Sequence, residues 1–197
     1  MTASGISSKV YDYQSYRELI NRLRAEGKAT GNIESEDFLR YTDLNNSRMD
    51  KWDKRYELSE ELKASLDNLY HPEEWVVLSE GWCGDAAHSI PVLAKMAEYS
   101  NKINLRILLR DENLELMDQY LTNGGRSIPK LIRYNPATGD ELGTWGPRPE
   151  AAQQLFTDGK AAGRAKSEIT VELQKWYARD RGASIDAEFV EILRTSI

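Results

Sequence analysis

The run Trp82-Cys83-Gly84-Asp85-Ala86 holds the chain's one cysteine. A cysteine set between a buried strand and a helix N-terminus has a chemical advantage: free backbone N–H groups and the positive end of the helix dipole stabilise thiolate, the reactive form. Trp82 would offer a partner peptide an apolar platform, and Gly84 would let that peptide's backbone come close. Asp85 opposes the effect, because a carboxylate beside a thiol disfavours the anion. It serves either as a proton shuttle for Cys83 or as a first-turn acid that stabilises the helix N-terminus. A lone cysteine forms no internal disulfide and supplies no structural zinc site within one chain, so stability must come from packing.

The flanking segments supply the elements such a site needs. Trp75-Val76-Val77-Leu78 is a short apolar run that reads as a strand covered on both faces, with Gly81 to Gly84 as the turn after it. Ala86 to Tyr99 then has helix-forming composition with apolar residues on nearly all sides. It contains Pro91, an interior proline that costs about 3 kcal/mol and marks a bend. Ile103 to Leu109 is a second strand, and Leu114 to Leu121 a short helix closed by Asn123-Gly124-Gly125. Ile128-Pro129 opens a strand to Tyr134, at an X-Pro bond, where a cis peptide is cheap. Pro136 to Asp140 turns it into a short strand around Leu142 to Trp145.

Helices lie on both sides of this unit. Tyr16, Leu19, Ile20 and Leu23 follow helical spacing until Gly27 and Gly31 interrupt it. Leu62, Leu66, Leu69 and Tyr70 repeat the spacing behind Ser59, a candidate N-cap. Past Pro149, helical patterns cover Ala151 to Phe156, Ile169 to Tyr177 and Ile185 to Leu193, with Gly182 between the last two. No repeat or long linker separates these pieces. The reading is one domain in three parts: a helical extension over 1–74, a core over 75–157 and a helical extension over 158–197.

Hydrophobic residues at 40% and charged residues at 29% suit a soluble globule with a sizeable core. A net charge of -6 and a pI near 5.1 give no electrostatic reason to expect nucleic acid or acidic membranes as partners. Met1 to Lys9 lacks the apolar stretch of a secretory signal, and no later stretch approaches the ~20 apolar residues of a membrane span. A cytoplasmic location and a monomer or homodimer are the expectations.

Taken in order, these residues resemble the thioredoxins, in which Trp-Cys-Gly-x-Cys follows a central strand and opens a long helix. Three features over Trp75 to Phe156 agree: the Trp82-Cys83-Gly84 opening, Pro91 at the place of the family's helix-kinking proline, and Ile128-Pro129 at the place of its cis-proline. The resemblance implies an α/β, thioredoxin-like fold, a central mixed sheet flanked by helices, with extra N-terminal and C-terminal helices. It implies that the Ile128-Pro129 loop faces the cysteine and binds substrate backbone, and that Gly146 lines the substrate groove. Two positions depart from the family pattern. Ala86 replaces the resolving cysteine, which removes the intramolecular release of a mixed disulfide. Val77 stands where thioredoxins usually keep a buried Asp. The chain also resembles bacterial members of the superfamily that carry Trp-Cys-Gly-Asp-Ala and helical additions at both ends.

Other readings are weighed beside these. Cys83 is either a small buried hydrophobe or a thiol exposed at the helix tip, and the motif favours exposure. His88 lies about 140° around the helix from Cys83 and reads as a surface residue rather than a catalytic partner. Arg126 and Lys130 flank the proline and read as a solvated rim or as holders of glutathione or peptide carboxylates. Arg48, Lys51, Lys54 and Arg55, interleaved with Asp50 and Asp53, read as a solvated helix face with Trp52 and Tyr56 on its buried side. Trp176 and Tyr177 read as core.

Two functions from different classes follow. In the first, Cys83 is the nucleophile of a monothiol thiol-disulfide oxidoreductase that attacks a protein disulfide or a glutathione mixed disulfide. An external thiol such as glutathione then resolves the adduct, and no metal or other cofactor is called for. Asp85 would assist Cys83, while Trp82, Gly84, Ile128, Pro129 and Gly146 would bind substrate. In the second, a redox-inactive binding module keeps the peptide groove and holds a protein partner. The first requires a depressed thiol pKa.

Overall fold

In the computed structural model, which describes residues 9–31 and 35–194, four strands form one mixed sheet. They are β1 (Glu73–Ser79), β2 (Ile103–Leu109), β3 (Lys130–Tyr134) and β4 (Glu141–Trp145), in the order β2-β1-β3-β4. β1 pairs parallel with β2 and antiparallel with β3, and β3 with β4 forms the antiparallel hairpin that the turn residues predict. As the central strand, β1 is apolar on both faces: Trp75, Val76, Val77 and Leu78 are all buried. Tyr11 covers the outer edge of β2 by exchanging two backbone hydrogen bonds with Ile107.

The helices are α1 (Tyr13–Ala25), α2 (Glu36–Arg55), α3 (Glu60–Asp67), α4 (Gly84–Tyr99), α5 (Leu114–Met117), α6 (Glu150–Ala161), α7 (Lys166–Asp180) and α8 (Ala183–Arg194). α4 carries Pro91 in its interior and is buried along most of its length. α8 sends Phe189 against Trp75 and Trp145, with ring centroids 5.3 and 5.5 Å away, so this helix belongs to the main core. α6 and α7 pack on each other around a smaller core of Ala152, Ile169 and Leu173. The helix expected over Leu114 to Leu121 stops at Met117. Leu121 is exposed, and a tight turn between Thr122 and Gly125 takes over.

Two elements bear directly on the cysteine loop. α2 extends well before the helix face read around Arg48 to Arg55, and there it buries Thr42, Asn45 and Asn46 rather than hydrophobes. Asn45 Nδ2 donates to the Gly81 carbonyl at 3.1 Å, holding the turn before Cys83. The segment after α1 supplies Thr30, whose hydroxyl accepts from Gly81 N–H at 2.8 Å and whose carbonyl accepts from Trp82 Nε1 at 3.1 Å.

Candidate functional site

Cys83 is the N-cap of α4, in extended backbone conformation, where the first turn's N–H groups point back toward the sulfur. The Ile128-Pro129 peptide bond is cis, and its loop faces the thiol: Cys83 Sγ donates a hydrogen bond to the Ile128 carbonyl at 3.2 Å. The expected exposure at the helix tip does not hold, since only 8% of Cys83 is accessible. Burial pushes the thiol pKa up to about 12, and the Asp85 charge adds to the rise. The Ala86 and Asp85 N–H groups and Arg148 pull the other way and lose. At rest the sulfur is a thiol that donates to a carbonyl.

Asp85 is fixed from two sides. Arg148 Nη2 binds its Oδ2 at 2.5 Å, and Tyr177 Oη donates to its Oδ1 at 2.9 Å. The Arg148 guanidinium in turn binds Gln153 and lies 4.5 Å from the centre of the Phe156 ring. Sequence reasoning missed Arg148 and placed Tyr177 in the core without its polar partner, because both reach Asp85 across more than sixty residues of chain.

His88 is not on the surface. Only 7% of it is accessible, its ring lies parallel to Tyr177 at 4.2 Å, and its Nδ1 accepts from Trp52 Nε1 at 2.8 Å. With Nδ1 accepting, the neutral ring carries its proton on Nε2 and donates to Gln174 Oε1 at 2.7 Å. Burial lowers its pKa to about 4. α2 and α7 thus clamp α4 from both sides through one imidazole. Gln174 also covers Gly84: a Cβ there would sit 3.2 Å from Gln174 Nε2, so the space foreseen for a partner's backbone is taken by the chain's own helix.

Trp82 is half-buried and is no free platform. Phe38 stacks on it at 4.5 Å, nearly parallel, and the Arg110 guanidinium lies 5.0 Å from its ring centre. Lys130 is buried rather than on a rim, with its Nζ donating to the Gly146 carbonyl at 3.1 Å, while exposed Arg126 pairs with Asp118. Gly146 has φ +104 and passes so close to the proline loop that a Cβ would lie 2.3 Å from the Pro129 oxygen. A buried carboxylate does exist near the site, three residues after Val77. Glu80 is fully buried, one oxygen accepts from Asp111 N–H at 2.9 Å, and the Thr30 hydroxyl also stabilises its carboxylate. Desolvation raises its pKa to about 7.

A groove of about 750 Å³ runs over the cysteine. Trp82, Cys83, Gly84, Asp85 and Ile128 line it, whereas Pro129 and Gly146 pack behind. Arg48, Arg110, Arg126, Arg148, Lys160 and Lys166 line it too, against Asp85 as the only acid among the described residues, in a chain of net charge -6. Among the described residues, no group of three or more His, Cys, Asp or Glu side chains is placed to hold a metal ion, and no helix is long and apolar enough to cross a membrane.

Comparison with known proteins adds the following. A Pseudomonas aeruginosa protein of unknown function, known from its crystal structure, superposes with a TM-score of 0.65 at 14% identity, over 100% of this chain and 99% of that one. An HIV epitope-scaffold superposes with a TM-score of 0.63 at 14% identity, over 99% of each chain. Both share the fold. No curated protein sequence matches the chain. The family described as thioredoxin matches residues 31–161, two thirds of the sequence, with the cysteine loop, cis-proline and sheet inside the match, and the chain belongs to that family.

Proposed function

We propose that this protein is a thioredoxin-fold binding module whose cysteine groove holds an acidic peptide segment without forming a covalent bond to it. The observation that carries the reading is the Cys83 thiol itself: buried, bound to the Ile128 carbonyl and with its pKa pushed to about 12, it lacks the thiolate that exchange chemistry requires. Arg148, Arg110 and Arg126 are already met by Asp85, Asp111 and Asp118, so Arg48, Lys160 and Lys166 are the groove cations that would meet the partner's acidic groups. The test is fluorescence anisotropy with a labelled glutamate-rich peptide. Cys83→Ser should leave affinity unchanged, and Lys160→Gln with Lys166→Gln should weaken it and flatten its salt dependence. Loss of binding on Cys83→Ser would sink the reading.

A second reading keeps the monothiol oxidoreductase, and one observation favours it: Cys83 lines the groove from the N-cap of a sixteen-residue helix whose Asp85 and Ala86 N–H groups favour thiolate. A ligand that drew the sulfur off the Ile128 carbonyl would let thiolate attack a disulfide. One sulfur of that disulfide would leave as thiolate, and an external thiol such as glutathione would then cleave the adduct. Mass spectrometry after exposure to glutathione disulfide separates the two readings. A mixed disulfide on Cys83 formed within minutes at neutral pH supports this one, and unmodified protein supports the binding module.

A further inference from the structure

A second cavity, of about 640 Å³, opens beyond Arg48 and Gln174, which it shares as a wall with the cysteine groove. Four cations surround it and no acid among the described residues lines it: Arg48, Lys51 and Arg55 from α2, and Arg181 from the end of α7. Helical geometry explains the imbalance. Positions 48, 51 and 55 are spaced by three and four and share one face of α2. Asp50 and Asp53 lie on another face, where Arg17 of α1 binds both. Arg48 donates to Asn45 Oδ1 at 2.7 Å, a neutral partner. Arg181 closes α7 in the left-handed conformation, with φ 55. The following Gly182 is packed so tightly that a Cβ would lie 2.8 Å from the Tyr56 ring. The backbone from which Arg181 reaches the cavity is thereby fixed, while its side chain is exposed.

The floor is aromatic, made of Trp52, Tyr56, His88 and Tyr177. His88 and Tyr177 stack on each other, whereas Trp52 meets Tyr56 and His88 only at 56° and 80°. Half-buried Trp52 therefore has no described ring lying parallel on it. Like charges at helical neighbour spacing repel, and a cavity of a few hundred Å³ that combines an apolar floor with convergent polar groups is the ordinary form of a small-molecule site. Guanidinium groups bind phosphate oxygens in pairs, and an indole face stacks on any flat heterocycle.

We propose that this cavity binds a small phosphate ester carrying an aromatic ring, with its phosphates on Arg48, Lys51, Arg55 and Arg181 and its ring on Trp52. The site shares Arg48 with the cysteine groove but uses no chemistry of Cys83. The test is calorimetric titration of the full chain with ATP, with tripolyphosphate and with adenosine. The same titrations are made on a Lys51→Gln/Arg55→Gln/Arg181→Gln variant, whose three positions are exposed and do not line the cysteine groove. ATP should bind at least tenfold more tightly than either fragment, and the triple variant should lose at least tenfold. Arg181→Gln alone, which leaves α2 untouched, should show a smaller loss of the same sign. Absence of ATP binding at millimolar concentration, equal affinity for ATP and tripolyphosphate, or affinity unchanged by the triple substitution overturns the proposal.

Discussion

The reactivity of Cys83 measures how far its surroundings suppress thiolate. Its pKa stands at about 12 against an ordinary 9.0, so at neutral pH the thiolate fraction is reduced about a thousandfold relative to the unfolded chain. A more basic thiolate is also a better nucleophile, with a Brønsted slope of roughly 0.4 to 0.5 in thiol–disulfide exchange. That recovers nearly half of the logarithmic loss and leaves a deficit of about fiftyfold. The assay is reaction with an aromatic disulfide reagent at pH 7, native against urea-unfolded, followed by the rate across pH. The native rate should be at least about fiftyfold lower and should climb tenfold per pH unit through pH 10 without levelling. Asp85→Asn should raise the native rate, because it removes the second largest cause of the shift and leaves Arg148 facing the sulfur without its carboxylate. A plateau below pH 9 would refute the reasoning, for it would mean that the helix N-terminus outweighs burial.

Glu80 and His88 make opposed contributions to stability. Glu80 rises from 4.5 to about 7, so its contribution is complete below pH 4.5 and is lost toward pH 7; His88 falls from 6.5 to about 4, so its contribution is complete above pH 6.5 and is lost toward pH 4. Each amounts to roughly 3 kcal/mol at most, and over their common window they offset each other. Urea midpoints should therefore change little between pH 4.5 and 6.5 in the native sequence. Glu80→Gln should make stability fall on acidification over that range, and His88→Gln should make it fall as pH rises; parallel profiles for all three proteins would contradict the assignment. Gly146→Ala should cost about 2 to 4 kcal/mol in urea unfolding, since it combines a positive φ with a contact at 2.3 Å on the Pro129 oxygen. A loss under 1 kcal/mol would show that the proline loop yields.

The sheet and the cysteine loop were legible because their signals are local. Trp75 to Leu78 is apolar throughout since the central strand is covered on both faces, and Ile103 to Leu109 marks β2 at its observed bounds. The part of α2 before Ser47 was illegible because its buried stripe is Thr42, Asn45 and Asn46, which satisfy backbone and side-chain groups instead of filling an apolar core. His88 was misread for a related reason. A histidine among Ala and Ser residues reads as polar surface, and its burial depends on Trp52 and Gln174, thirty-six residues before and eighty-six after it. The surroundings of Cys83 were half legible: Asp85 announced opposition to thiolate, but the burial that dominates comes from packing no motif encodes.

The groups that set the state of the Cys83 thiol, Ile128, Asp85 and Arg148, lie within the shared thioredoxin core, but part of what covers the cysteine loop comes from outside it. Gln174 and Tyr177 both belong to α7, past the end of the family match at residue 161, and they act on Gly84, Asp85 and His88 at the start of α4. In an oxidoreductase this helix tip must be open, since substrate backbone approaches it and thiolate forms there. Here α7 covers the tip and ties down Asp85, and the sulfur turns to the Ile128 carbonyl. The loss of a resolving cysteine at Ala86 is consistent with that arrangement. On the binding-module reading a thiol held protonated has no adduct to release, whereas Cys83 still lines the groove beside the cations. Removing the α7 contacts while keeping the fold, as Gln174→Ala with Tyr177→Phe would do, should raise Cys83 reactivity in the disulfide-reagent assay. An unchanged rate would place the suppression in the proline loop and Asp85, without α7.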